Sequence, residues 1–175
     1  LELSRLQSGT EAMEPAKLNV TELIEEMPMR YETLAEDKGI EFTTDLMENC
    51  PYTWANADRV EQILTILLDN AFKFTPPEGR VWIETQVQNR KILVRVKNSG
   101  DGIQPEDLPH VFERFYKADK AHTGGGTGLG LSIASEILQR MGESISVSSV
   151  PGQTTTFSFT LPVYDAEQHK AEEQD

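Results

Sequence analysis

The chain has 175 residues, 38% apolar and 26% charged, a composition that suits one globular domain with its own core. Its 29 acidic and 16 basic residues give a formal net charge of -13, which repels a phosphate backbone and excludes nucleic acid as the expected partner. A single cysteine, Cys50, rules out an internal disulfide and a cysteine-rich metal motif, and no run of 18 apolar residues is present to span a membrane.

The opening residues Leu1 to Ser8 read as the end of a helix, with Leu1, Leu3 and Leu6 apolar and Gly9 as its stop. A second helix is predicted over residues 19–38, where Leu23, Ile24, Met27, Tyr31, Leu34 and Ala35 recur at helical spacing. Asn19 or Thr21 suits its N-cap, Pro28 should kink it or shift its start, and Gly39 ends it. Residues 40–46 alternate as a strand.

The clearest helical rhythm covers residues 58–74, through Val60, Ile63, Leu64, Leu67, Leu68 and Ala71, and Thr75-Pro76-Pro77 terminates it. Strands over 80–88 and 92–97 meet at a hairpin turn, Asn89-Arg90. A polar, glycine-interrupted stretch runs from Asn98 to Gly128, followed by a helix over 129–141 and strands over 144–149 and 154–161. Trp54, Trp82 and the phenylalanines are expected in the core. The pattern predicts an α+β fold: a two-layer α/β sandwich with a mixed, mostly antiparallel sheet of about five strands and about three helices on one face. The acidic residues after Tyr164 are expected to form a disordered tail.

Three elements carry candidate chemistry. On the 58–74 helix, Asn70 lies at the edge of the apolar stripe, where an amide oxygen either ligates a hard cation or simply bounds the core; Lys73 could reach a phosphate. Asn98-Ser99-Gly100-Asp101-Gly102-Ile103 follows a strand directly, and glycines there let backbone approach a ligand or merely form a surface turn. The run from Gly124 to Leu131 places five glycines in seven residues before a helix, a source of free N–H groups and positive potential for phosphate. It lacks the Gly-Lys-Ser/Thr ending of a Walker loop.

Together the motifs resemble the ATP-binding catalytic domain of two-component sensor histidine kinases. Residues 58–75 are similar to the family's N box, Asn98 to Ile103 to its first glycine box, Phe112-Glu113-Arg114-Phe115-Tyr116 to its F box, and Gly126 to Leu131 to its second glycine box. Gly152 to Phe157, with Phe159 and Leu161-Pro162, looks like the last glycine-threonine box. The likeness covers roughly residues 1–163, since Leu3 to Gly9 resembles the end of the preceding dimerisation helix. It implies three parts: residues 1–9 from that helix, 10–163 as the catalytic domain and 164–175 as the tail.

The resemblance implies the ATPase fold shared with DNA gyrase, mismatch-repair ATPases and the Hsp-ninety chaperones, with ATP and Mg²⁺ as ligands. By position, Asn70 would hold Mg²⁺, Lys73 would contact phosphate and Phe74 would lie near the nucleotide. Gly100, Gly102 and Ile103 would accommodate adenine, with Asn98 and Thr155 beside it. Gly126, Thr127, Gly128, Leu129, Gly130 and Leu131 would form the phosphate-binding turn. Arg114 and Lys117 would approach the phosphates from a lid over about 113–127. In the intact kinase the γ-phosphate passes to a histidine on the dimerisation and phosphoacceptor domain, then to a response regulator aspartate.

Two residues depart from that pattern. Asn98 stands where the family usually has aspartate, so the adenine amine would meet a neutral acceptor and bind less tightly. Ile66 stands where the N box often has a polar residue; isoleucine is no base, so slow or absent ATP hydrolysis is expected. His110, His122 and His169 lack the surroundings of a phosphoacceptor. The chain starts at Leu1 and not at methionine, so it is expected to be a piece of a longer protein. This piece would be monomeric and cytoplasmic; the full-length kinase would be a homodimer anchored in the bacterial membrane. The alternatives are a degenerate nucleotide-binding module without kinase activity, another ATPase of the same fold, and a scaffold that binds no nucleotide.

Overall fold

The computed structural model describes residues 14–117 and 128–173. A short strand β1 (Ala16–Leu18) leads into three brief helices, α1 (Val20–Glu25), α2 (Met27–Arg30) and α3 (Glu32–Lys38). The single helix expected over 19–38 is therefore broken. Asn19 caps α1 by accepting from the Glu22 N–H at 3.2 Å, and Pro28 sits in the first turn of α2, where its missing donor costs nothing. Gly39 closes α3 in the left-handed conformation, φ 68°, a position that suits glycine.

Strands β2 (Glu41–Asp45) and β3 (Thr53–Ala55) precede the long helix α4 (Ala57–Phe74). Asn56 caps α4 through the Arg59 N–H at 3.0 Å, a residue earlier than the periodicity alone indicates. At its far end the buried Thr75 hydroxyl donates to the Ala71 carbonyl at 2.6 Å, capping a last-turn carbonyl just before Pro76 breaks the helix. Strands β4 (Arg80–Gln88) and β5 (Lys91–Ser99) form the hairpin, with Asn89 and Arg90 both at positive φ (54° and 62°), the primed turn that matches strand twist. Helix α5 (Gly130–Arg140), strands β6 (Ile145–Val150) and β7 (Thr154–Pro162), and helix α6 (Ala166–Glu173) complete the described chain.

Five strands form one sheet in the order β2-β4-β5-β7-β6, with β2 parallel to β4 and all other pairs antiparallel. This is the mixed, mostly antiparallel sheet expected. Strand parity fixes its inner face: Val81 and Ile83 on β4, Ile92, Val94 and Val96 on β5, and Phe157, Phe159 and Leu161 on β7 are buried. They pack against Ile63, Leu64, Leu67 and Leu68 of α4 and Ile137 and Leu138 of α5 in one core. Burial of these side chains, at about 1.5–3 kcal/mol each, is what binds the helix layer to the sheet.

One feature was not anticipated and two expectations fail here. β1 pairs antiparallel with β3 in a separate two-stranded ribbon that three-residue apolar patterns cannot announce. Trp82 is not a core residue: its parity turns it to the outer face, with the Arg80 guanidinium 4.4 Å and the Lys97 ammonium 6.0 Å from its ring. The stretch after Tyr164 is helical over Ala166–Glu173. There His169 is buried, its ring stacked on Trp54 at 4.7 Å, and its Nδ1 accepts from the Asp165 N–H at 2.8 Å. The polar composition of that stretch hides two ring contacts that give it a face to bury. The expected helix over Leu1–Ser8 lies outside the described residues.

Candidate nucleotide site

The candidate site lies where the C-terminal ends of α4, β5 and β6 meet, with the start of α5 set against Ile66 further back on α4. β5 delivers Asn98 at an inward position, 5% exposed, register partner of the equally buried Thr155 on β7. Beyond it the chain turns through Gly100 and Gly102. A Cβ on Gly100 would lie 2.9 Å from the Phe74 carbonyl oxygen at the C-terminus of α4, so only glycine allows this approach. Gly102 adopts φ 77°, and a Cβ there would strike the Ser149 hydroxyl at 2.7 Å.

This turn is pinned to the β6–β7 hairpin. The Gly100 N–H donates to the Gln153 carbonyl (3.1 Å) and the Gly152 N–H to the Asp101 carbonyl (2.7 Å). The Ile103 N–H donates to Ser149 Oγ (2.8 Å). Ser149 also donates to the Thr154 carbonyl at 2.9 Å and lies 3.3 Å from Thr155 Oγ1. Ser149 belongs to none of the motifs in the sequence. Its signal was a hydroxyl at an inward parity of β6, in line with Ile145 and Val147.

On α4, Asn70 is half-buried, as expected of a residue at the edge of the apolar stripe, and Phe74 is 54% exposed at the helix end, not in the core. Lys73 is exposed; its Nζ lies 5.3 Å from the Phe74 ring. It also lines a cavity of about 300 Å³ with Leu34, Lys38, Asp69 and Phe72, on the side of α4 that faces α3. Ile66 faces the start of α5: a Cβ on Gly130 would meet its Cγ2 at 3.5 Å, ordinary contact.

Helix α5 begins at Gly130 after Leu129, and Leu131 packs against the core. Gly128, φ 78°, touches the F box so closely that a Cβ would lie 2.7 Å from Phe115 Cα. Phe115 itself holds a positive φ of 65° and is 68% exposed, not in the core, while Phe112 packs against the core with its ring 6.0 Å from Phe157. Arg114 is exposed and pairs with Glu136 of α5 at 3.7 Å; Lys117 is half-buried. Gly126, Thr127 and most of the expected lid, with His122, lie outside the described residues. His110 is exposed and faces Glu113 at 2.9 Å, the solvated role expected of it.

Among the described residues no group of three or more His, Cys, Asp or Glu converges into a metal cage. One amide, Asn70, beside an anionic ligand's own oxygens suits Mg²⁺, which keeps waters and uses few protein ligands. An inward amide, two close-packed glycine turns and a helix N-terminus set over one sheet are the parts from which a nucleotide-binding α/β sandwich is built.

The sequence matches the family of histidine kinase-, DNA gyrase B- and HSP90-like ATPases over residues 55–165, more than half of the chain. Sensor protein SrrB of Staphylococcus aureus (strain MRSA252) is 39% identical over 145 residues, covering 82% of this chain and 25% of the relative. The nucleotide-free catalytic domain of the histidine kinase ThkA has a TM-score of 0.76 at 29% identity, covering 86% of this chain and 97% of that one. Full-length ShkA in complex with AMPPNP gives 0.81 at 29% identity, covering 94% of this chain and 34% of that one. The chain belongs to this ATPase family and is a catalytic domain of the sensor histidine kinase type. It spans a quarter of the length of the SrrB relatives.

Proposed function

We propose that this domain binds Mg·ATP in the pocket between α4, the Asn98–Ile103 turn and the start of α5. There it presents the γ-phosphate to a histidine on a dimerisation domain of the same protein. The observation that carries the reading is the pinned turn: Gly100 packs on the Phe74 carbonyl while Asn98 and Thr155 face inward side by side. A flat base suits such a site, since the two glycines present no side chain of their own to it.

In this reading Asn98 and Thr155 hydrogen-bond the base, and Asn70 offers its amide oxygen to Mg²⁺. Mg²⁺, when bound, neutralises charge on the phosphate oxygens. Lys73 adds a mobile positive charge one turn further along α4. The N–H groups of Gly126, Gly128 and Gly130, with the positive end of α5, hold the phosphates. Arg114 leaves Glu136 to approach them. Positioning and charge stabilisation, not a protein base, then carry phosphoryl transfer to the imidazole. ThkA has been solved in complex with the response regulator TrrA, at 25% identity and a TM-score of 0.75 to this chain. By that likeness the phosphate goes on to an aspartate of a response regulator. The whole protein is then a homodimer held at the membrane; no helix among the described residues is long and apolar enough to cross one.

Calorimetric titration with a non-hydrolysable ATP analogue and Mg²⁺ tests binding. Phosphotransfer by a longer chain that includes the upstream histidine tests catalysis. Binding without transfer would favour a regulatory nucleotide module.

A further inference from the structure

The two inward residues that pair across β5 and β7 at the candidate site, Asn98 and Thr155, are both uncharged. Asn98 Nδ2 donates to the Ser99 carbonyl at 3.1 Å, and only the amide's N–H₂ can face that oxygen. One N–H is thereby used; the second N–H and Oδ1 have no partner among the described residues. Asn98 as a residue is 5% exposed, and its Oδ1 is not among the described side-chain atoms sealed from solvent without a partner, so it keeps a small opening toward a ligand.

Thr155, its register partner, is set in the same ambivalent way. The one hydrogen of Ser149 goes to the Thr154 carbonyl at 2.9 Å, and one of its lone pairs takes the Ile103 N–H at 2.8 Å. The contact of 3.3 Å between Ser149 and Thr155 is then donated by Thr155, which leaves the Thr155 lone pairs as acceptors. Turning the hydroxyl makes it a donor instead.

We infer that this pocket accepts guanine as well as adenine nucleotides, with Asn98 as the residue that relaxes base selectivity. The inference rests on the nucleotide-site reading above. Asn98 Oδ1 can accept from the 6-amine of adenine, while the spare Nδ2 hydrogen can donate to the 6-oxo group of guanine. Thr155 can donate to an unprotonated N1 or accept from N1–H. A carboxylate at position 98 would accept only. It would strengthen the adenine contact and set two acceptors against each other with guanine, a mismatch that leaves polar groups unpaired.

The test is titration of the chain with Mg²⁺ and non-hydrolysable analogues of ATP and GTP, for the wild type, Asn98→Asp and Asn98→Ala. Thermal melting confirms that each variant is folded. The wild type is expected to bind both analogues with Kd values within about tenfold of each other. Asn98→Asp should raise the guanine-to-adenine Kd ratio at least about tenfold, and Asn98→Ala should weaken both ligands. A wild type that rejects the GTP analogue as strongly as Asn98→Asp overturns the inference and leaves ATP binding intact. So does an Asn98→Ala variant weakened for adenine alone. Failure of both analogues to bind the wild type overturns the nucleotide-site reading itself.

Discussion

The Phe115 N–H donates to the Gly128 carbonyl at 2.9 Å, so the F box and the start of the second glycine turn are tied together although twelve residues lie between them. Both residues hold positive φ, 65° and 78°. Phe115 has a side chain and therefore bears local strain, of order 1–3 kcal/mol, that the surrounding contacts must offset. Phe115 itself is 68% exposed.

That knot predicts an effect for Gly128→Ala. The added Cβ would lie 2.7 Å from Phe115 Cα and 2.8 Å from its carbonyl carbon, and the backbone would also pay the left-handed penalty. The knot should open or shift. Affinity for the ATP analogue is expected to fall at least about tenfold, the equivalent of about 1.4 kcal/mol. The melting temperature should move by only a few degrees, because Gly128 lies outside the core. Calorimetry and melting on the same sample check both halves; unchanged affinity would detach this contact from binding.

Asn70→Ala separates metal from nucleotide. Asn70 is half-buried at the stripe edge, so its removal opens no cavity. The variant should melt close to the wild type and bind the ATP analogue equally well with or without Mg²⁺, whereas the wild type binds more tightly with it. Titrations in Mg²⁺ and in EDTA measure this, and a variant that keeps the full Mg²⁺ dependence would remove Asn70 from the metal.

Periodicity made most of the fold legible. The α4 stripe and the parity of β4, β5 and β7 predict the buried residues because packing follows the side-chain period. The same parity turns Trp82 outward, but hydrophobicity alone suggested core. The β1–β3 ribbon was not legible, since three residues carry no period and its partners are far apart in sequence. The site was legible as glycines and amides but not as contacts. That Gly100 needs no side chain because of the Phe74 carbonyl, or that Ser149 organises the turn, depends on elements brought together by the fold.

Tyr31 gives the domain an alkaline limit. Burial, then the hydrogen bond its hydroxyl donates to Asp69 at 2.7 Å, pushes the phenol well above its ordinary value of 10.0. The ring also stacks on Phe72 at 5.1 Å. The folded state therefore keeps the proton longer than the unfolded state. The stability this provides is complete below pH 10 and declines as pH rises above it. Tyr31→Phe keeps the stack and loses the hydroxyl contact, about 1 kcal/mol at neutral pH. It should also flatten the loss of stability above pH 10, read from urea midpoints at pH 8 and pH 11. A midpoint that falls as steeply in the variant would place the alkaline sensitivity elsewhere.

Ile66 sets the last expectation. Its side chain sits against the first residue of α5, where a Cβ on Gly130 would be 3.5 Å away, so an apolar methyl occupies the wall between α4 and the phosphate-binding turn. Isoleucine can neither accept a proton from water nor orient one by hydrogen bonding. A bound nucleotide should therefore be hydrolysed no faster than about the rate seen with Asn70→Ala, while transfer to an imidazole held in line needs no base at this position. Ile66→Glu would place a carboxylate there and should raise phosphate release by about 10²-fold if a positioned base is what the site lacks. Coupled-enzyme detection of phosphate over hours distinguishes the two proteins. Rapid release by the wild type would show that another group activates water, and the reading of Ile66 as the missing base would have to be abandoned.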